Sequence, residues 1–427
     1  MSSDTASRPG PEREPGPDAS PDTEADTEAV TEAATDAGPD TATDAATDAG
    51  PDTATEAATD AGPDTATTGT ARPEASTAPA PRPESALSLP LETVAAAAPG
   101  PAVAVVAVRA GESRTLCRGA SAATRFELGS VTKTFTALLL AEAVARGELG
   151  HDDPIAGRLP AAAVPEGYGD RITLAHLASH TAGLPVLPPG LLAQAVPRFY
   201  TNPYEGFTPD HLLHALSQTR VRHPPGQRVR YSNFGVGLLG RLLSDAAGAP
   251  YDEALATRIL TPLGLADSTC DPELPQATGH WHGRPRPPWR IPGLPGAGAL
   301  RSSARDLQRY LEVLLSPPPE ADETLRTALH DVTRPRATAP GGDRMCLAWK
   351  ARTHTARDGG EFDLLFHSGG TRGFTSFAGF CPAARIGLAA VTNSSPTLRG
   401  TFIRTAYRTL RDLAAEIPAR RARSTAQ

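Results

Sequence analysis

The chain has 427 residues, a formal charge of −7, 39% hydrophobic residues and only 5% aromatic ones. Residues 1–85 contain no Phe, Trp or Tyr and carry 19 acidic against 4 basic side chains, so a net of −15 there leaves +8 for the remainder. That +8 is spread out, which excludes the clustered basic footprint of a nucleic-acid binder, and no run of 18 apolar residues is present to form a membrane-spanning helix. Four widely separated cysteines (Cys117, Cys270, Cys346 and Cys381) with no Cys-x-x-Cys argue against a zinc site and do not suggest disulfides. No basic and then apolar leader opens the chain, so a cytoplasmic location is expected.

In chain order, residues 1–85 are expected to be a disordered acidic tail, because low hydrophobicity with high net charge cannot offset ordering entropy. Within it the 12-residue unit (D/E)AATDAGPDTAT repeats at Glu32–Thr43, Asp44–Thr55 and Glu56–Thr67. Each unit offers a core nothing larger than Ala or Thr and contains Gly-Pro, so the repeat reads as low complexity and not as a solenoid. Residues 86–415 form the folded domain. A helix over Leu87–Ala98 is followed by an apolar strand, Pro101–Val108, and a hairpin partner, Ser113–Arg118. Ser130–Arg146 is predicted as a helix, apolar nearly all round and therefore internal. Residues 151–334 are Pro-rich and mostly helical, with helices near Phe234–Ala247, Asp252–Leu260 and Ala304–Leu315. Gly373–Phe380 and Arg385–Thr392 read as a second hairpin, and Phe402–Ala415 as a closing helix, with a flexible end over 416–427. The expected fold class is therefore α+β: one antiparallel sheet assembled from both termini (86–150 and 335–415), flanked by helices, with a helical insert.

Three short motifs carry chemistry. Ser130-Val-Thr-Lys133 puts a hydroxyl and an amine on one helix face, at a helix start where the dipole favours developing negative charge. A serine hydroxyl needs a base to become a nucleophile, and a lysine serves if burial disfavours its charge. The bland alternative is a capping serine beside a surface lysine. Tyr231-Ser-Asn233 follows Pro224-Pro-Gly226 on a loop, where Tyr231 could share a proton with that pair and Asn233 bind a substrate carbonyl. Alternatively Tyr231 packs and Asn233 caps the next helix. His367-Ser-Gly369-Gly370 precedes the last hairpin, with glycines that let a substrate approach a strand edge. Of 41 basic residues only two, Lys133 and Lys350, are lysines, which suggests positions where Arg would not serve.

Together these motifs resemble the class C β-lactamase, DD-peptidase and esterase superfamily, with its Ser-x-x-Lys, Tyr-x-Asn and Lys/His-x-Gly signatures. Further segments in family order are Phe126–Thr136, Ile172–Pro185, Ile259–Asp267 and Ala299–Leu307. The resemblance implies a β-lactamase/transpeptidase-like fold, no cofactor or metal, and a small-molecule or peptide substrate. It also implies Ser130 as acylated nucleophile, Lys133 and Tyr231 as shared general base, Asn233, His367 and Gly369 at the substrate, and the N–H groups of Ser130 and Gly370 as oxyanion hole. By the same resemblance, His367 stands where β-lactamases hold Lys and some DD-peptidases and D-aminopeptidases hold His. A lysine is a permanent cation for a β-lactam carboxylate, whereas His is largely neutral at pH 7. An ester, amide or peptide substrate is therefore expected, with β-lactamase, DD-carboxypeptidase or acyltransferase activity, or a non-catalytic penicillin-binding sensor, as alternatives. Gly235–Gly240 fits G-x-G-x-x-G but lies inside a helix pattern, which argues against a dinucleotide site. His176 and His180 could be catalytic, but the resemblance implies that their segment is structural. Trp281 and Trp289 either wall the acyl pocket or pack a loop.

Overall fold

The computed structural model describes residues 86–198, 200–319 and 321–416; the acidic repeats and the stretch 417–427 lie outside the described residues. Helix α1 (Ser88–Ala96) leads into β1 (Val103–Arg109) and β2 (Glu112–Arg118), the hairpin expected from the apolar run and its glycine turn. After α2 (Thr132–Ala145), α3 (Asn233–Ala247) and α4 (Ala304–Leu315) come β3 (Ala337–Thr338), β4 (Arg344–Met345), β5 (Lys350–Thr355), β6 (Glu361–Gly370), β7 (Thr375–Cys381), β8 (Ile386–Thr392) and α5 (Thr401–Ala415). The sheet order is β2-β1-β8-β7-β6-β5-β4-β3. β1 pairs β8 antiparallel from Val103 opposite Thr392 to Arg109 opposite Ile386, so both ends of the folded chain close one α+β sheet.

The apolar run of β1 is buried on both faces, which explains its lack of alternation. Val103, Val105 and Ala107 join the cluster under α1 and α5. Ala104, Val106 and Val108 join the larger cluster containing α2, α3 and α4. α2 is buried all round from Thr132 to Ala143, as its sequence indicates. Besides the two-residue β3 and β4, two longer strands were not legible. β5 (KARTHT) has one small apolar residue and no period, and its outer half is only partly buried. β6 (EFDLLFHSGG) breaks alternation at Leu364-Leu365, yet it is the ten-residue strand that ends in the histidine–glycine motif.

Helix α3 also explains the rejected glycine motif. A Cβ on Gly237 would lie 2.3 Å from Leu294 Cδ2, and one on Gly240 would lie 3.0 Å from Gly296 Cα. These glycines let the short turn Pro295–Gly298 lie directly on α3. Side chains of α2 hold the other side of that segment: Thr136 Oγ1 donates to Gly296 O at 2.7 Å and Thr132 Oγ1 accepts from Leu300 N at 3.1 Å.

A buried carboxylate joins the pieces around Ser130. Phe126–Glu127 pairs with Arg301–Ser302, and Glu127 is 3% exposed. Its oxygens accept from Trp289 N at 2.6 Å, Gln276 Nε2 at 2.9 Å and Thr371 Oγ1 at 2.7 Å, with the Arg301 guanidinium 3.8 Å away. Arg301, equally buried, also donates to Ala299 O at 2.6 Å and to Trp289 O. Removing one member of such a set strands the others without water. We therefore expect Glu127→Ala to cost about 3–5 kcal/mol, read as a lower urea midpoint, and Glu127→Gln to cost less. A loss below about 1 kcal/mol for the alanine variant would show that the Arg301–carbonyl bonds hold this junction unaided.

Candidate active site

Ser130 lies in a 3-10 turn, Gly129–Val131, that runs directly into α2. Ser130 and Lys133 are both fully buried. Their three-residue separation brings Lys133 Nζ to 2.5 Å from Ser130 Oγ, and the same nitrogen donates to Ala297 O at 2.8 Å. That carbonyl sits on the turn docked between α2 and α3. The Tyr231 phenol shares a hydrogen bond with Ser130 Oγ, and Lys133 Nζ lies 4.8 Å from the Tyr231 ring centroid. Residues 101 positions apart thus meet at one hydroxyl, and the reading of Lys133 as a surface lysine is excluded.

Tyr231 belongs to an irregular loop that hangs on the segment after residue 179. Gly226 N donates to Thr181 O at 2.9 Å, Ser232 Oγ to Pro185 O at 2.6 Å and Asn233 N to Val186 O at 2.9 Å. Ser232, not Asn233, caps α3, accepting from Gly235 N at 2.8 Å. Asn233 is 1% exposed, and its amide lies 3.4 Å from Tyr204 Oη. Tyr204 in turn packs edge-on against the buried Trp289. Trp289 is therefore a packing residue behind Asn233, while Trp281 lies elsewhere in that loop, against Tyr200 and the guanidiniums of Arg286 and Arg372.

The third motif occupies the end of β6. β5 pairs with β6 only as far as Phe366, so His367–Gly370 pair with β7 on one side and project past β5 on the other. His367 is 4% exposed; its Nδ1 lies 2.7 Å from Ser368 O. A carbonyl only accepts, so Nδ1 carries the hydrogen and Nε2 is the acceptor of the neutral ring. The glycines have a role beyond substrate approach. A Cβ on Gly369 would lie 2.2 Å from Leu128 O and 2.8 Å from Ser130 N, and one on Gly129 would lie 2.6 Å from Gly370 O. Gly129 moreover has φ +48, a left-handed backbone that suits glycine. The main chains carrying the Ser130 and Gly370 N–H groups therefore touch with no side chain between them.

His176 caps its own helix with Thr173 and stays outside the cluster. His180 does not. Its ring lies 4.7 Å from that of Tyr231, and burial first, then Lys133, His367 and Lys350, pulls its pKa well below the usual histidine value. Both lysines of the chain therefore bear on this one imidazole, and Lys350 lies opposite Phe366 beside the His367 strand. Sequence reasoning set His180 aside. Its only signal was a histidine in Ile172–Pro185, a segment that matches the family in order but contains none of its three motifs.

Among the described residues, no helix is long and apolar enough to cross a membrane. The fold matches a class C β-lactamase from Rhodobacter sphaeroides with TM-score 0.63 and 23% identity, over 76% of this chain and 98% of that one. A β-lactamase/D-alanine carboxypeptidase from Pseudomonas syringae matches at TM-score 0.63 and 24% identity, over 77% and 99%. Among curated relatives, the D-alanyl-D-alanine-carboxypeptidase/endopeptidase AmpH of Escherichia coli K12 is 28% identical over 284 residues, 64% of this chain and 71% of AmpH. A β-lactamase of Pseudomonas fluorescens is 32% identical over 199 residues, 45% of this chain and 51% of that protein. The family model described as Beta-lactamase matches residues 91–412, about three quarters of the chain, and the protein belongs to that family and is a serine hydrolase that works through an acyl-enzyme.

Proposed function

We propose that Ser130 is the acylated nucleophile and that Lys133 and Tyr231 manage its proton. The observation that carries this reading is a single hydroxyl, Ser130 Oγ, bonded at once to the Lys133 amine and the Tyr231 phenol. In the forward step Ser130 Oγ attacks the substrate carbonyl and its proton moves to Lys133 Nζ or, through the shared bond, to Tyr231. The oxyanion rests on the N–H groups of Ser130 and Gly370. The leaving amine or alcohol takes the proton back, and water, entering by the reverse route, releases the acid. Full burial of Lys133 disfavours the ammonium form that would be unable to accept a proton. Asn233, His367 and Gly369 line the acyl side.

The substrate of this reading is a small ester, amide or peptide. With its hydrogen on Nδ1 toward Ser368 O, a neutral His367 presents Nε2 as an acceptor, where a lysine would present a fixed charge to a carboxylate. Relatives named β-lactamase and D-alanyl-D-alanine-carboxypeptidase keep β-lactam and D-alanyl peptide turnover as the second reading.

Three outcomes test these roles. Ser130→Ala should keep the fold, because Lys133 Nζ retains Ala297 O as an acceptor, yet lose labelling by a fluorophosphonate in intact-mass spectrometry; an adduct that persists on the variant rules Ser130 out. Lys133→Arg should be nearly as damaging as Lys133→Ala, about 10²-fold or more in kcat, since arginine retains charge but does not give up its proton. Retention of more than about a tenth of wild-type kcat would make Lys133 an electrostatic anchor. Nitrocefin should be a poor substrate beside p-nitrophenyl esters, and His367→Lys should improve binding of carboxylate-bearing β-lactams. Wild-type nitrocefin hydrolysis above about 10⁶ M⁻¹s⁻¹ in kcat/KM contradicts the reading of His367.

A further inference from the structure

His180 makes a set of contacts that its neighbours do not share. It is 2% exposed and has φ +59, a left-handed backbone that histidine adopts more readily than most residues. Its carbonyl accepts from Arg230 N at 2.8 Å, and its Nδ1 accepts from Ser232 N at 3.3 Å. Between those two anchors lies Tyr231, with its ring tilted 44° to the imidazole at 4.7 Å between centroids. One residue therefore holds the main chain immediately before Tyr231, the main chain immediately after it, and its ring face. The loop it grips has no regular structure of its own.

The same bonds define the imidazole's state. Because Nδ1 accepts an N–H, it carries no hydrogen, and the neutral ring has its hydrogen on Nε2. Nε2 is buried and has no hydrogen-bond partner among the described residues. A second proton would have to enter at Nδ1, against the Ser232 N–H. Lys133, Lys350 and His367 bear on the ring as further basic groups, and Tyr231 is the titratable group tilted against it. The ring is thus a clamp that stays uncharged beside the lysine, and has no route to relay a proton.

We propose that His180 is the positioning residue of Tyr231, holding the phenol on Ser130 Oγ by gripping the loop at Arg230, Ser232 and the ring face. This inference rests on the role proposed for Tyr231, and the test separates the two. The readout is the rate of Ser130 labelling by a fluorophosphonate, followed by intact mass in the full chain. His180→Gly, which removes side chain and backbone strain together, should slow labelling about 10²-fold, the scale of a misplaced catalytic group. His180→Asn, which tolerates the left-handed backbone and offers an amide oxygen to Ser232 N–H, should recover about tenfold of that loss. In a Tyr231→Phe background, His180→Gly should slow labelling by no more than about twofold further, because contacting residues that act as a unit are not additive. The apparent pKa of the labelling rate should be the same in wild type and His180→Asn. Losses that simply add in the double variant, or an apparent pKa that moves in His180→Asn, overturn the positioning role. If Tyr231→Phe alone labels at the wild-type rate, the failure lies instead in the role given to Tyr231.

Discussion

The main-chain contact between Leu128–Ser130 and Gly369–Gly370 is the constraint on which the rest of the site depends. It joins the start of α2 to the end of β6, and no side chain fits between them. Every flanking bond serves to keep it closed. Leu128 O accepts from Ser376 Oγ at 2.7 Å, and Leu128 N donates to Leu300 O at 2.9 Å. One residue earlier, the Glu127 carboxylate gathers donors from three separate segments. The two N–H groups proposed for the oxyanion are thus brought together by tertiary packing of a 3-10 turn against a strand end. Preorganisation of this kind is what makes such donors effective at a developing charge.

Around that junction the side chains show a division of labour between charge and position. The chain uses arginine for its structural cations: Arg301 buried against Glu127, Arg258 bridging Glu142 and Glu148, Arg352 on Asp343. Lysine is kept for Lys133 and Lys350, both buried and both acting on the field at His180. An arginine at 133 would bring a planar fork of donors that accepts no proton, to a space already filled by Ser130 Oγ and Ala297 O.

The parts of this structure legible in the sequence are those with strong local pattern. β1, α2, α3, α4 and α5 announce themselves by apolar runs or helical period, and the Ser-x-x-Lys spacing alone places Ser130 and Lys133 on one face. β5 and the first half of β6 were not legible, because their pairing is tertiary: KARTHT becomes a strand by lying against β6, not through its own residues. The meeting of Tyr231 with Ser130 was reached through family resemblance, since nothing in residues 131–230 dictates it locally. His180 escaped for the same reason. Its importance lies in which loop its carbonyl and Nδ1 meet, 50 and 52 positions along the chain, and a lone histidine in a helix-turn segment gives no hint of that. The glycine motif in α3 was legible as a pattern; its meaning, close contact with Leu294 and Gly296, was not.

The anchor of Lys133 has an evolutionary consequence. The oxygen that holds its amine belongs to the backbone of residue 297, and every amino acid brings the same carbonyl. Substitution at 297 is thus limited by volume, at 1% exposure, and not by chemistry. The heritable burden falls instead on Gly237 and Gly240, a full helix away from the nucleophile, because they let that carbonyl approach. Sequence drift in the hydrolase would therefore be tolerated at the residue touching the lysine and purged at two that never touch it.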